Sequence, residues 1–297
     1  MENQALKEAM TATSAAVERV LDPILKVPDT PEGRVFEAMR YSIYAGGKRM
    51  RPLLVLASAE LFGVEREHAL RVAAALECVH VYSLIHDDLP AMDDDDMRRG
   101  KPSLHKAFDE ATAILAGDAL LTLAFEMLAA DATHPDPYVR TELIAAMAKA
   151  SGGHGMVGGQ MIDISAADHA LDQQAVFRLQ NMKTGALISF AAEAGAIMAK
   201  AGKQSRASLQ GYARDLGLAF QIADDLLDVE GDATEVGKAI GKDAEAGKAT
   251  IVEILGVERA RQQARMLADQ AIDHLAEFDD KAALLRAVAH FAVNRSS

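Results

Sequence analysis

Apolar residues recur at intervals of three and four along most of this chain, the spacing of helices that bury one face. Residues 2–22 read as an amphipathic helix stopping at Asp22-Pro23. Beyond a loop with Pro28 and Pro31, the spacing of Val35, Phe36, Met39 and Ile43 predicts a helix over 32–45, closed by Gly46-Gly47. Lys48-Arg49-Met50-Arg51-Pro52 then leads into the apolar run Leu53 to Ala57. A helix from about Arg66 or His68 runs to Asp87, and helices at about 107–131 and 137–151 flank Thr133 to Pro137. Lys183 and Thr184 open another apolar helix, Leu216 to Val229 reads as the next, and Ile251 to Asn294 is helical again. Period-two runs of Val, Ile and Thr are hard to find. The expectation is an all-α protein, one helical domain over 1–297 with no linker and no solenoid repeat.

Composition agrees. Half of the 297 residues are hydrophobic, Trp is absent and Pro numbers eight, so a large helical core is available. The net charge of −13 comes without a basic stripe, which argues against nucleic acid as a partner. Local cations with a divalent metal would still accept an anionic substrate. The single cysteine, Cys78, sits among apolar residues and reads as a buried thiol in a reducing compartment. The first ten residues carry acids without a long apolar stretch, unlike a secretory signal. The most apolar segment, Ala111 to Ala130, is broken by Gly117, Asp118 and Glu126 and reads as a buried helix, not a membrane span. A soluble, cytoplasmic protein is expected.

The chemistry gathers around residues 77–104. An apolar run (Val79, Val81, Tyr82, Leu84, Ile85) ends in Asp87-Asp88, then Pro90, then Asp93 to Asp96, then Arg98-Arg99-Gly100-Lys101. Six carboxylates in ten residues repel one another unless cations sit among them. Asp87 and Asp93 would not align on a regular helix, but Pro90 breaks the ladder, and a bulge over Leu89 to Met92 would return Asp93 to the face of Asp87. Asp94, Asp95 and Asp96 read as mostly solvated or paired with nearby cations. A second apolar helix ends the same way: Asp224 and Asp228 stack at i,i+4, with Gln221 a turn earlier and Asp225 alongside. Two acid clusters on buried helices point to an all-oxygen Mg²⁺ site rather than zinc, because no His- or Cys-rich ligand set exists.

Other residues admit two readings. Lys48, Arg49 and Arg51 beside the glycine pair would grip a phosphate or complement a helix C-terminus. His80, nearly in line with Asp87, is a site residue or a hydrogen-bonded core histidine. Arg98 and Arg99 await an anion or balance the acids. The glycine-rich stretch Ser151 to Gln160 has no preceding strand and no Walker pattern; it suits close helix approach, with Gln160 and Asp163 aimed into a site as a weaker reading. The Gly-Lys steps ending at Lys238, Lys242 and Lys248 are a plain surface loop or a mobile cover for an anion.

From about Phe36 to the C-terminus the chain resembles the trans-isoprenyl diphosphate synthases, bacterial short-chain farnesyl diphosphate synthases in particular. Gly46 to Pro52 is similar to the family's GGKRxRP, Asp87 to Asp93 to its first aspartate-rich motif with a two-residue insertion, and Asp224 to Asp228 to its DDxxD. The resemblance implies a helical bundle around a deep central cavity, a homodimer, and isoprenoid diphosphates as substrates. It implies two Mg²⁺ ions on Asp87 and Asp93, a third on Asp224, and support from Asp88, Asp225 and Asp228. Lys48, Arg51, His80 and Arg99 would hold isopentenyl diphosphate. Arg98, Lys183, Thr184, Gln221, Lys238 and Lys248 would hold the allylic diphosphate. Tyr82, with Ser83 next to it, would be the floor that limits product length. Geranyl or geranylgeranyl diphosphate remain alternative products, and a helical cation-binding protein without chemistry a remote alternative.

Overall fold

A computed structural model describes residues 2–166, 172–230 and 251–294. In order, the helices are α1 (Glu2–Ile24), α2 (Gly33–Ile43), α3 (Met50–Leu61), α4 (Arg66–Asp87), α5 (Leu104–Ala107), α6 (Glu110–Ala129), α7 (Pro137–Ser151), α8 (Met156–Ser165), α9 (Gln173–Gln180), α10 (Ala186–Met198), α11 (Lys203–Glu230), α12 (Ile251–Leu255), α13 (Val257–Asp273) and α14 (Ala283–Asn294). A π-helical turn, Asn181–Gly185, joins α9 to α10, and a 3-10 segment, Ala276–Ala282, precedes α14. The protein is all-α apart from a two-residue ladder, β1 (Met97–Arg98) against β2 (Lys101–Pro102).

Helix α4 is the centre. It has no polar stripe through its middle, where Val72 to Val79 are all buried, as expected of a helix enclosed on every side. Helices α3 and α6 pack against it, α10 packs on α3, and α11 continues from α10 to α13. The α3–α10 approach is close enough to exclude a side chain: a Cβ on Gly195 would lie 2.3 Å from the Ser58 backbone. Ser58 Oγ donates to the Ala191 carbonyl at 3.2 Å and accepts from the Gly195 N–H at 3.1 Å, so the seam is satisfied as well as tight. A smaller apolar cluster, including Val176, Ile222, Leu226, Ile251 and Leu267, joins α9, α11, α12 and α13.

Four expectations need adjustment. The first helix carries Pro23 in its last turn and ends at Ile24, not at Asp22. The helix expected over 107–131 is α6, which starts at Glu110 because the Asp109 carboxylate accepts the Thr112 N–H at 2.7 Å, while the short α5 before it ends at Ala107. The basic loop after the acids is a hairpin whose turn residues, Arg99 (φ 52°) and Gly100 (φ 74°), both take left-handed backbone conformations. Helix α6 is only half-buried: Ile114 and Leu115 remain 44% and 54% exposed. By length and composition α4 and α6 could each cross a membrane, but α4 is mostly buried and the two pack against each other within the bundle.

Candidate active site

The end of α4 builds the acidic half. After Asp87 the chain leaves the helix at Leu89-Pro90 and doubles back, so that the Asp93 N–H donates to the Asp87 carbonyl at 2.9 Å. The chain turns at the proline as the sequence suggested, and the charge of the exposed Asp93 reaches Asp87. Burial, joined by the charges of Asp93 and Asp88, pushes the Asp87 carboxyl up from 3.8 to about 6, although Lys183 and Arg98 pull the other way. A carboxylate so placed lacks positive charge, and a cation would supply it. Two adjacent oxygen-donor side chains at a helix end suit Mg²⁺, which takes few protein ligands and leaves positions for phosphate oxygens.

The remaining acids are engaged otherwise. Asp88 is buried, with Arg98 Nε 2.9 and 3.1 Å from its two oxygens, and Arg98 also reaches Asp95 at 3.4 Å. Burial opposes the Arg98 charge, but Asp88 outweighs it and holds the guanidinium above its ordinary pKa. In this geometry Arg98 balances the acids. Asp96 pairs with Lys106 at 2.8 Å. Oxygens of Asp94 and Asp96 and a ring nitrogen of the buried His105 lie within 4.8 Å of one another, a further group able to take a cation.

The cationic half lies one to two turns back along α4. Arg51 on α3 and His80 on α4 approach to 3.4 Å, guanidinium Nη1 to imidazole Nε2. A guanidinium has no acceptor, so Nε2 accepts and the proton of the neutral ring sits on Nδ1. Burial first, then the charges of Arg51, Arg99, Arg49 and Arg98, hold His80 well below the ordinary histidine value. Arg99 donates to the Gly46 carbonyl and lies against Gly47, where a Cβ would come within 2.5 Å of its Cζ. Arg51 senses the charge of Asp224 as well as that of Glu77, so the second acid cluster faces this group across the bundle. Lys48 is exposed, with its ammonium 5.8 Å from the Phe291 ring on α14.

A third wall comes from the π-turn and α11. Lys183 pairs with Asp163 of α8 at 2.5 Å, and Thr184 Oγ donates to Gln221 Oε1 at 3.3 Å. Gln221 in turn donates to Asp225 at 3.0 Å, and the other Asp225 oxygen accepts the Ile251 N–H at 3.1 Å. Asp225 is therefore buried as the N-terminal cap of α12. Asp224 is partly buried one residue earlier. The Asp228 side chain, Lys238, Lys242 and Lys248 lie outside the described residues.

The polyprenyl synthetase family profile matches residues 32–289. This chain belongs to that family. It is 45% identical over 298 residues to the farnesyl diphosphate synthase of Escherichia coli, covering 99% of this chain and 98% of that protein. It is equally 45% identical to the geranylgeranyl diphosphate synthase of Cyanophora paradoxa, over 89% of this chain and 88% of that one. Its fold superposes with a TM-score of 0.91 on an FPP/GFPP synthase from Zymomonas mobilis, with 53% identity and coverage of 98% and 99% of the two chains.

Tyr82 is buried in the core with its ring edge-on to His86 at 5.7 Å. The His86 ring fills the space left by Gly117 of α6, where a Cβ would lie 2.2 Å from Nε2. Ser83 turns its hydroxyl to the His80 carbonyl at 2.8 Å. Two residues named in the sequence take a more specific place in the structure. Arg49 is buried and ion-paired with Glu77, and its Nη2 donates to the Ile43 carbonyl, so it braces the loop between Lys48 and Arg51. The available signal was Glu77 itself, a lone acid inside the run Ala73 to Val79, which needs a buried partner. Asp163, the weaker reading of the glycine-rich stretch, pairs with Lys183.

The Asp87 shift fixes a sign. An aspartate whose pKa is raised on folding destabilises the fold once the unfolded chain would ionise it, so the penalty grows between pH 3.8 and about 6 and persists above. With metal chelated, Asp87→Asn should raise the melting temperature at pH 7.5 by several degrees, and the gain should vanish towards pH 4. Equal melting curves at pH 7.5 would contradict the burial of an uncompensated charge.

Proposed function

We propose that this protein is a Mg²⁺-dependent farnesyl diphosphate synthase, joining isopentenyl diphosphate to dimethylallyl and then geranyl diphosphate. The observation that carries the reading is Asp87, charge-starved beside Asp93, with Lys183 on one side and the Arg51–His80–Arg99 group on the other. Asp87 and Asp93 would hold two ions and Asp224 a third, with Asp225 fixing Gln221 beside them. When bound, Mg²⁺ supplies the charge that stabilises the departing diphosphate. Lys183, Thr184 and Gln221 would orient the allylic diphosphate, with Lys238 and Lys248 completing that side. Lys48, Arg51, His80 and Arg99 would place isopentenyl diphosphate with its double bond facing the allylic carbon.

The allylic C–O bond breaks, the isopentenyl double bond attacks the cationic carbon, and a proton leaves to the departed diphosphate. The apolar helix walls exclude water from the cation. No side-chain nucleophile enters, in keeping with a buried Cys78 thiol whose pKa is raised by burial. Tyr82, five residues before Asp87, supports a fifteen-carbon product through its buried ring, edge-on to His86. A geranylgeranyl product is the second reading, favoured by the equal identity to the Cyanophora paradoxa enzyme. We also propose a homodimer formed through α6, whose exposed Ile114 and Leu115 make an apolar face that a second copy would cover.

Incubation with isopentenyl and dimethylallyl diphosphates should give farnesyl diphosphate only when Mg²⁺ is present. Asp87→Ala and Asp224→Ala should each lower kcat on the order of 10²–10³-fold; turnover within a few-fold of the parent enzyme would remove the metal assignment. Tyr82→Ala should release longer prenyl chains by mass spectrometry, whereas an unchanged product spectrum would put the floor elsewhere. By light scattering, the parent protein should weigh two chains and the Ile114→Glu/Leu115→Glu double variant one. A monomeric parent would refute the dimer.

A further inference from the structure

Lys183 is held in an unusual way. It belongs to the π-turn Asn181–Gly185, where an extra residue per turn rotates the side chains relative to those of a plain helix. Helix α8 presses directly on that turn: a Cβ on Gly159 would lie 2.3 Å from the Lys183 nitrogen and 2.7 Å from its Cα. A Cβ on Gly158 would lie 2.7 Å from Met182 Cε. The two glycines bring α8 close enough for Asp163, one turn beyond Gly159, to reach the Lys183 ammonium at 2.5 Å. Both side chains are largely withdrawn from water, 11% exposed for Asp163 and 26% for Lys183. The charge of Lys183 also reaches Asp87. On the same face of α8, the Gln160 amide is buried with no hydrogen-bond partner at either atom among the described residues.

A lysine has a long, flexible stem and a point charge. Facing Asp87 and Asp93 with nothing behind it, its ammonium would fall onto those carboxylates and occupy the place a cation needs. We propose that Asp163 is a positioning residue, which with the Gly158–Gly159 contact holds Lys183 back from the Asp87–Asp93 pair and keeps it aimed at the allylic diphosphate. This rests on the reading of Lys183 as an allylic-diphosphate ligand.

The test is a double-mutant cycle of Asp163→Asn and Lys183→Met, read as kcat/KM for geranyl diphosphate, KM for isopentenyl diphosphate, and melting temperature. Asp163→Asn should lower kcat/KM for the allylic substrate roughly 10- to 100-fold, the worth of a hydrogen bond to a charged group, with KM for isopentenyl diphosphate unchanged. Asp163→Glu should recover part of the loss. In the Lys183→Met background Asp163→Asn should cost nothing further. An equal further loss there, or equal losses for both substrates, would overturn the positioning role. A Lys183→Met variant with full allylic kcat/KM would instead remove the underlying ligand assignment. If Asp163→Asn does not fold, Gly159→Ala, which forces α8 away from Lys183, should show the same selective allylic loss; unaltered kinetics in it would overturn the proposal.

Discussion

The structure is organised around carboxylates crowded at the end of a buried helix, Asp88 buried, Asp87 half-buried and Asp93 exposed. Asp87 ends a helix buried through its middle, and the bulge at Pro90 adds Asp93 beside it. Burial first, with the charges of Asp93 and Asp88 added to it, pushes the Asp87 carboxyl up to about 6. Each neighbouring element can be understood as an answer to that charge. Arg98 answers Asp88, and Lys183 shares itself between Asp163 and Asp87.

The opposite half inverts the problem. Arg49, Arg51, Arg98 and Arg99 converge on His80, and together with burial they suppress its protonation. Glu77 compensates only part of this, through its ion pair with Arg49. Arg51 Nε has no partner among the described residues. A surplus of buried positive charge and unused donors is a template for a polyanion, just as the acid end is a template for a cation.

Much of this was legible before any coordinates. Apolar spacing gave the helices, because burial of one face leaves a mark at every third or fourth residue. Pro90 gave the bulge, because a residue without an N–H interrupts the ladder. The Arg99-Gly100 turn, the Asp109 cap and the π-turn were missed. Each is a local backbone choice with a weak signature, decided by what packs against it.

By itself, then, the chain's sequence determined the all-α class, the two acid-ended helices and the residue types able to hold metal and diphosphate. These follow from periodicity and charge, which are properties of neighbours along the chain. Only the tertiary structure decided how the charges are shared: that Arg98 turns to Asp88, that Arg49 is buried against Glu77, and that Asp163 stands behind Lys183. Those pairs join residues on different elements, some of them far apart in sequence. Their energies depend on distance and local dielectric, which exist only once α4, α8 and α11 have packed.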